Sequence, residues 1–351
     1  MEFIVHIGTG KAGSSSIQAF CSDNREWLAD RGVLYPLTPG KARHERFGMF
    51  VKSDLELAIT PNWHRQVART QQPDPTAFRR NFRRRLRAEI DASGLDRVLL
   101  SDEELFGASE EGIRRLGWYL GKVADRRRLV VYLRRQDDHL VSRYQQGVKI
   151  GWVARLVDWA REDFSGLYDY ARRLRRHQEL VSPDAIVVRP FEPHRFVRES
   201  LYSDFLDAIG VADDVQGFDP GPRRNESLDA ETVEFLRLLN LHRVEVEGAT
   251  PGLIDNRPLV RRLAEHCHGP ILTLPGAALD SFMAQWESPN RQVARRFLDE
   301  GSTLFTTERK SSNTTSVQRL DPGRLDHFLA VGEIPEDLRA PLRRLAEREA
   351  R

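Results

Sequence analysis

Cysteine is nearly absent from this chain of 351 residues, which contains only Cys21 and Cys267. Two cysteines so far apart form neither the disulfide framework of a small secreted domain nor the paired thiols of a zinc site. Long apolar runs are also missing, and none approaches the roughly 18 residues that a membrane-spanning helix needs. The first residues show no basic segment followed by an apolar one, as a secretion signal would. These absences favour a cytoplasmic protein without stable membrane insertion.

Lysine is scarce as well, since only six of the 54 basic residues are lysine and the rest are arginine. The formal net charge of +2 is small, and we expect no nucleic-acid partner. Arginine therefore serves as the general cation of this chain. A lysine inside a glycine-rich turn, Lys11, stands out against that background as a functional candidate.

Strand-like apolar runs alternate with helical patterns over the first half of the chain, and the apolar fraction of 40% is enough for a large core. The strand-like runs fall at 2–7, 33–36, 96–100, 128–133 and 185–190. Such alternation predicts a parallel sheet whose strands are joined by crossover helices. Beyond Phe191 the patterns are mainly helical.

The first strand leads directly into a glycine-rich loop, HIGTGKAGSSSIQ at 6–18. A strand, a tight loop and a helix N-terminus form an anion site, because backbone N–H groups converge there and the helix dipole adds positive potential. The loop of nucleotide triphosphatases has its lysine directly after the last glycine. Here Lys11 precedes Gly13, and three serines follow. The pattern predicts a phosphate-binding loop of another kind, and a plain glycine turn with serine caps is the alternative.

A second pattern follows the central strand RLVVYL at 128–133. Arg134 comes directly after this strand, and Ser142 follows eight residues later. Ligands of parallel sheets bind at the carboxyl ends of the strands, and arginine suits a phosphate because its planar fork donates two hydrogen bonds. The alternative is that these residues bind no ligand, with the arginine on the surface and the serine hydroxyl facing solvent. Arg135 fits less well, because its spacing to Ser142 is one residue shorter.

The two motifs together resemble the sulfotransferases that use 3′-phosphoadenosine 5′-phosphosulfate (PAPS), in their bacterial, carbohydrate-type branch. In that family the first loop binds the 5′-phosphosulfate, and the arginine and serine of the second motif bind the 3′-phosphate. The resemblance implies PAPS as co-substrate, adenosine 3′,5′-bisphosphate (PAP) as product, and a catalytic contact of Lys11 with the bridging oxygen. The cofactor-binding residues that it implies are Gly10, Lys11, Ala12, Gly13, Ser14, Ser15, Arg134 and Ser142.

The resemblance and the strand pattern predict an α/β, P-loop-like three-layer fold, with a central parallel sheet flanked by helices and a mainly helical C-terminal part. Residues 1–215 are expected to form the PAPS-binding core, and 216–351 a helical extension packed on it as one domain. The expected reaction transfers a sulfuryl group from PAPS to a hydroxyl or amine acceptor, a carbohydrate by resemblance. No metal is required, and the sequence contains no obvious ligand cluster for one.

A general base is needed to activate a hydroxyl acceptor. The strand before Ser101 leads into Asp102, Glu103 and Glu104, and by resemblance Glu103 lies where other branches place their base. Glu104 and His44 are the alternatives, and the choice among the three stays open. His6 alternates with the apolar residues of the first strand and is expected to be structural.

The densest basic segment, FRRNFRRRLR at 78–87, also has two readings. Phe78, Phe82 and Leu86 recur at helical spacing, which favours a helix with a solvated arginine face. The alternative is a surface that attracts an anionic acceptor such as an acidic glycan, or that contacts nucleic acid. Two other functions also stay open, a non-catalytic PAP- or glycan-binding protein and a P-loop kinase. The kinase is disfavoured because the central strand is followed by Arg134 where a magnesium-binding aspartate is expected.

Overall fold

The computed structural model describes residues 1–67, 74–211, 228–298, 301, 303–307 and 313–349. Within these residues the elements of the first part of the chain are β1 (Glu2–His6), α1 (Ser14–Asp23), α2 (Arg25–Asp30), β2 (Val33–Leu34), α3 (Glu45–Val51), α4 (Asp54–Ala58), α5 (Pro61–Val67), α6 (Pro75–Ser93), β3 (Arg97–Ser101), α7 (Glu110–Val123), β4 (Arg126–Leu133), α8 (Gln136–Lys149), α9 (Leu156–Trp159), α10 (Ser165–Tyr168), α11 (Tyr170–Val181) and β5 (Ala185–Pro190).

The remaining elements are mainly helices, as the sequence predicts for the part beyond β5. They are α12 (Leu201–Ala208), α13 (Ala230–Glu245), α14 (Arg257–His266), β6 (Ile271–Leu272), α15 (Gly276–Ala284), α16 (Glu287–Phe297), β7 (Thr314–Thr315), α17 (Leu325–Val331) and α18 (Glu336–Glu349), with short 3-10 helices at Pro193–Arg195, Val197–Glu199 and Pro322–Arg324. Within the described ranges, no helix combines the length and the hydropathy that crossing a membrane requires.

The central element is a parallel sheet with the strand order β2-β3-β1-β4-β5. β1 pairs with β3 on one side and with β4 on the other, so that Glu2 aligns with both Arg97 and Arg126. The central strands are almost entirely apolar where they are buried, as in parallel sheets that are covered on both faces. The predicted α/β fold with a central parallel sheet is therefore confirmed.

Successive residues of β1 point to opposite faces of the sheet, and each face is covered by helices. Ile4 packs in a buried cluster with Ile17 of α1 and Phe205 of α12. Phe3 points the other way and contacts Tyr119 of α7 edge-on, with ring centroids 6.3 Å apart. The sheet is thus the middle layer of three.

The segment between residues 37 and 75 contains helices that the sequence pattern does not reveal. Turn signals dominate there, yet α3, α4 and α5 form. Each helix is only five to seven residues long, too short for apolar residues to repeat visibly at helical spacing. The helical segment that follows the glycine-rich loop is also interrupted, since Asn24 leaves helical geometry at φ −114° and ψ 35° between α1 and α2.

Two compact units make up the chain. The first comprises Met1–Arg135, Phe164–Arg224 and Glu287–Thr306, and it contains the five-stranded sheet. The second comprises Gln136–Asp163, Asn225–Trp286 and Thr307–Arg351. The boundary predicted between residues 215 and 216 lies outside the described residues.

A buried charge cluster holds three segments of the second unit together. The guanidinium of Arg237 on α13 lies 2.8 Å from Glu234 Oε1 and 2.8 Å from Glu349 Oε2 on α18, and it also donates to the Val153 carbonyl at 3.0 Å. Burial opposes the charge, but these carboxylates raise the pKa of Arg237. Loss of one partner from such a buried cluster leaves a charge unpaired, which is strongly destabilising.

We expect Gly117→Ala to destabilise the first unit by about 3 kcal/mol, because a methyl group there would overlap the Leu180 carbonyl oxygen where α7 packs against α11. Gly121→Ala, one turn further along α7, is the matched control. Its nearest neighbour would be Arg127 Nη2 at 3.6 Å, an ordinary contact. Alanine should therefore stabilise α7 there by up to about 1 kcal/mol. Urea unfolding followed by circular dichroism measures both, and equal effects would contradict this packing.

Candidate active site

The carboxyl ends of β1 and β4 lie side by side at the point where the order of the strands reverses. β2 and β3 lie on one side of β1, whereas β4 and β5 lie on the other side. Open parallel sheets bind ligands in the crevice at such a switch point. The Tyr132 N–H donates to the Gly8 carbonyl at 2.7 Å, and the Thr9 N–H donates to the Tyr132 carbonyl at 2.9 Å. These bonds extend the pairing of β1 with β4 into the glycine-rich loop.

The loop turns sharply into α1 through two residues in left-handed conformation. Lys11 has φ 63°, and Gly13, the N-cap of α1, has φ 79°. A side chain at Gly13 would also collide with Leu201 and Phe191, since a Cβ would lie 2.7 Å and 2.8 Å from their carbon atoms. The hydroxyl of Ser14 donates to the Thr9 carbonyl at 2.7 Å and closes the loop on itself. Glycine is therefore required at position 13 for two separate reasons.

The N-terminus of α1 offers backbone donors toward this loop. The first N–H groups of a helix have no partner within the helix, and here the N-cap makes no side-chain hydrogen bond to them. Ser15 is exposed and Ser16 half-buried, whereas the side chain of Ala12 is fully buried in the core. Backbone N–H groups and the Ser15 hydroxyl are thus the groups available to bind an anion, together with the positive end of the helix dipole.

Arg134 is brought to the loop by the pairing of β1 with β4. Its Nη1 donates to the carbonyl of Lys11 at 2.9 Å, and its own carbonyl accepts a hydrogen bond from the Tyr170 hydroxyl at 2.7 Å. The two cationic residues that the sequence singled out therefore come from neighbouring strand ends in the first unit. Ser142 lies half-buried on α8 in the second unit, and its role remains a prediction.

Glu103 lies directly against the glycine-rich loop. A Cβ at Gly8 would lie 2.8 Å from the Glu103 carbonyl oxygen, and one at Gly10 would lie 3.7 Å from Glu103 Cγ. Both carboxylate oxygens of Glu103 have partners, since Gln18 Nε2 donates to Oε2 at 2.6 Å and Arg43 Nη1 lies 3.3 Å from Oε1. These two partners hold the carboxylate in one orientation. The Glu103 side chain is 20% exposed, so it still reaches solvent.

Arg43 joins three consecutive carboxylates that follow β3. Besides Glu103, it contacts Asp102 Oδ1 at 2.9 Å and Glu104 Oε1 at 2.8 Å. Burial opposes the charge, but these three carboxylates together raise the pKa of Arg43. The other oxygen of Glu104 pairs with Lys52 Nζ at 2.7 Å. Although burial opposes it, the pairing with Arg43 and Lys52 lowers the pKa of Glu104.

Asp102 forms the buried end of this network. Its side chain is fully buried, and burial raises its pKa to about 7 against the opposing charge of Arg43. Oδ1 accepts from Arg43 and from the Glu104 N–H at 3.1 Å, whereas Oδ2 has no hydrogen-bond partner in the described part of the chain. Asp102 therefore anchors Arg43 from the core side and does not reach solvent.

The two histidines near the site are both buried and neutral. His44 stacks on Tyr35 with ring centroids 4.2 Å apart, and its Nδ1 accepts the Ser101 N–H at 3.1 Å. Burial lowers the pKa of His44 to about 3. His6 Nδ1 is 2.8 Å from Ser101 Oγ, and burial lowers its pKa to about 3 as well. These contacts give both rings a structural role beside the end of β3.

Arg43, Gln18 and Lys52 contact the acidic segment, but sequence reasoning did not identify them. Gln18 could have been found, because it follows Ser14 by one helical turn and so shares its face of α1. Arg43 had no comparable signal, since it lies 59 residues from Asp102 in the chain and forms part of a loop. Lys52 was visible only as one of six lysines.

No protein-family model matches the chain, and no curated protein sequence matches it. Among solved structures, the chain is similar to a crystal structure of a sulfotransferase from Alicyclobacillus acidocaldarius at 13% sequence identity. The similarity covers 69% of this chain and 94% of that one, with a TM-score of 0.42. A likeness at this level is too weak to argue from, and the chemistry of this chain has to be inferred from its own residues.

We expect His44→Asn to change how stability depends on pH. The asparagine oxygen can still accept the Ser101 N–H, but it does not titrate. Because folding lowers the pKa of His44 from 6.5 to about 3, its neutral ring stabilises the fold fully above pH 6.5. That contribution is lost as the pH falls from 6.5 toward 3, by at most about 1.4 kcal/mol per pH unit.

The measurement is urea unfolding of both proteins across this pH range. The stability of the wild type relative to the variant should fall as the solution is acidified. A difference that stays constant with pH would show that the ring is not held neutral by burial.

Proposed function

We propose that this chain is a sulfotransferase that moves a sulfuryl group from PAPS to a hydroxyl group of a carbohydrate acceptor. The observation that carries this proposal is the convergence of Lys11, Arg134 and Glu103 on one glycine-rich loop. Arg134 donates to the Lys11 carbonyl, and Glu103 packs against Gly10. Cations for the donor and a carboxylate for the acceptor therefore lie at the same edge of the sheet.

The chemistry of these groups fits a nucleotide with phosphates at two positions. Uncapped N–H groups at the start of α1 suit one phosphate, and the guanidinium of Arg134 suits another, because it can donate two parallel hydrogen bonds. We assign the 5′-phosphosulfate to Lys11, Gly13, Ser14 and Ser15, and the 3′-phosphate to Arg134; the part of Ser142 stays a prediction from the sequence. The side chain of Ala12 is buried, so only its backbone can contribute.

Sulfuryl transfer is an in-line displacement in which positioning and charge stabilisation supply most of the rate, as in phosphoryl transfer. The acceptor oxygen forms a bond to sulfur, and its proton passes to the Glu103 carboxylate. The bond from sulfur to the bridging oxygen breaks, and its electron pair stays on the 5′-phosphate of the leaving PAP. The ammonium of Lys11 stabilises the negative charge that develops there.

Glu103 suits the role of base better than its two alternatives. Glu104 is bound by both Arg43 and Lys52, which lower its pKa and weaken it as a base. His44 is fully buried, and its Nδ1 is already occupied by the Ser101 N–H. Glu103 keeps solvent access beside the loop while Gln18 and Arg43 hold its orientation.

The positioned carboxylate also favours an enzyme over a protein that only binds PAP or glycans. Binding a bis-anionic nucleotide requires cations and N–H donors, and an acidic side chain against the same loop weakens it by repulsion. Glu103 is nevertheless held against Gly10 by two separate partners. A carboxylate in that position suits an acceptor that has to lose a proton.

We expect the wild type to bind PAP without Mg²⁺ and to bind it more tightly than ADP in calorimetric titrations. Arg134→Ala should weaken PAP binding by roughly tenfold or more, because a charge-assisted pair is lost. Arg126→Ala is the matched control, since it removes an exposed arginine from the opposite end of β4. Tighter binding of ADP that depends on Mg²⁺ would instead indicate a kinase.

We expect Lys11→Ala to lower the transfer of labelled sulfate from PAPS to a panel of glycans by about a hundredfold, because it removes one donor to the developing charge. Lys122→Ala, at an exposed position of α7, should leave transfer unchanged. If the wild type binds PAP tightly but transfers no sulfate to any acceptor, the chain is a binding protein.

We expect Glu103→Gln to reduce transfer by at least about a hundredfold, while PAP binding stays within a few-fold of the wild type. Glu104→Gln alters the neighbouring carboxylate on Arg43 and should have a much smaller effect on turnover. Single-turnover assays across pH compare the two variants. The assignment of the base is wrong if Glu104→Gln causes the larger loss or if Glu103→Gln keeps the pH profile of the wild type.

A further inference from the structure

A cavity of about 490 Å³ lies in the first unit, and its lining residues fall between positions 50 and 118, outside the glycine-rich loop. We call it the arginine groove, and its lining residues are Phe50, Thr76, Arg79, Arg83, Glu111, Arg114, Arg115 and Trp118. They come from the end of α3, from α6 and from α7. The basic segment at 78–87 therefore contributes to a concave surface as well as to a solvated helix face.

Two of the four arginines build the wall of the groove. Arg79 donates to the Lys52 carbonyl at 2.7 Å and pairs with Asp54 at 2.7 Å. Arg115 donates to the Val51 carbonyl at 2.9 Å and also contacts the Lys52 carbonyl. These side chains cap the last carbonyls of α3, which a helix end otherwise leaves without partners.

The other two arginines are available to a ligand. The guanidinium of Arg83 lies over the ring of Trp118, 5.3 Å from its centroid, and no carboxylate pairs with it among the described residues. Within the described residues, Arg114 pairs only with the exposed Glu110 one turn away on α7, a contact of little energetic value. Trp118 itself is 48% exposed, which is unusual for so large an aromatic side chain. Two cations and an aromatic face thus meet at one open surface.

This combination suits a sugar that carries a negative charge. An indole ring offers a flat apolar face for the C–H groups of a sugar ring, and its N–H provides a polar edge. An arginine beside it binds a carboxylate or sulfate with two parallel hydrogen bonds. A nucleic acid suits the groove less well, because only Arg83 and Arg114 among its lining cations are available to a ligand, whereas nucleic-acid binding draws on contacts with many phosphates.

A hydrogen bond and a series of ion pairs connect the groove to the candidate base. Lys52, whose carbonyl binds Arg79, places its ammonium 2.7 Å from Glu104. Glu104 in turn shares Arg43 with Glu103. The residues that form the wall of the groove and those that orient Glu103 therefore belong to one contiguous set of contacts.

We propose that the arginine groove binds an anionic sugar residue of an oligosaccharide, with Arg83 and Arg114 on its carboxylate or sulfate and Trp118 against its ring. The identification of this oligosaccharide as the acceptor rests on the proposed function. The binding itself does not, because none of these three side chains belongs to the loop or to its cations.

The test is a calorimetric titration of nucleotide-free protein with a short oligogalacturonide and with the same oligomer after reduction of its carboxyl groups. The charged oligomer should bind at least roughly tenfold more tightly than the reduced one. The double variant Arg83→Gln/Arg114→Gln should remove most of that difference. Trp118→Leu should weaken both oligomers, because the ring contact does not depend on charge.

The matched control is Arg84→Gln/Arg87→Gln, which removes two exposed arginines of α6 that do not line the groove. It should bind the charged oligomer as the wild type does, and unfolding midpoints should confirm that all variants fold. Equal binding of the two oligomers, equal losses in both double variants, or tighter binding of a single-stranded oligonucleotide of matched charge would each overturn the proposal.

Failure of the groove and failure of the proposed function give different results. If the charged oligomer binds through Arg83 and Arg114 but accepts no sulfate from PAPS, the groove stands and the enzymatic assignment falls. If sulfate is transferred to neutral and charged glycans equally, and the Arg83→Gln/Arg114→Gln variant is as active as the wild type on both, the enzymatic assignment stands and the groove is not an acceptor site.

Discussion

The close approach of the backbone at Gly8 to the backbone at Glu103 is the contact on which the candidate site depends. A side chain at position 8 would lie within 2.9 Å of the Glu103 carbonyl oxygen and Cα, so only glycine allows the segment after β3 to pass the start of the loop. Since β1 is paired with β4 on its other side, the same loop is held against Tyr132. The sheet therefore determines which acidic residue meets the loop and which arginine faces it.

The charge network around Arg43 sets the properties of the acidic segment. Three adjacent carboxylates repel one another, and a single guanidinium that contacts all three reduces that repulsion. The network has a buried end at Asp102, which anchors it, and an exposed end at Glu104, which continues to Lys52. Glu103 lies between them and is the member that touches the loop. Position within the network, more than residue type, separates the candidate base from its two neighbours.

Several features of the fold were accessible from sequence because they depend on local patterns. The five strands of the sheet produce short apolar runs bounded by turn residues, and each was predicted at its observed place. The loop at 8–16 was recognisable from its glycines and serines, and Arg134 from its place after β4. The short helices α3 to α5 were missed, because helices of that length form through packing of residues such as Phe47 and Phe50 and show little periodicity.

Sequence alone was sufficient to single out a candidate phosphate-binding loop, an arginine at a neighbouring strand end and a set of three possible bases, because each candidate is marked by its immediate neighbours in the chain. The tertiary structure gave those three residues different environments, since burial of His44 and the pairing of Glu104 arise from residues distant in the chain. It also revealed the contacts of Arg43, and it showed that the basic segment 78–87 of α6 forms the arginine groove together with residues of α3 and α7. Local pattern encodes the elements, whereas solvent access and charge pairing exist only after those elements pack together.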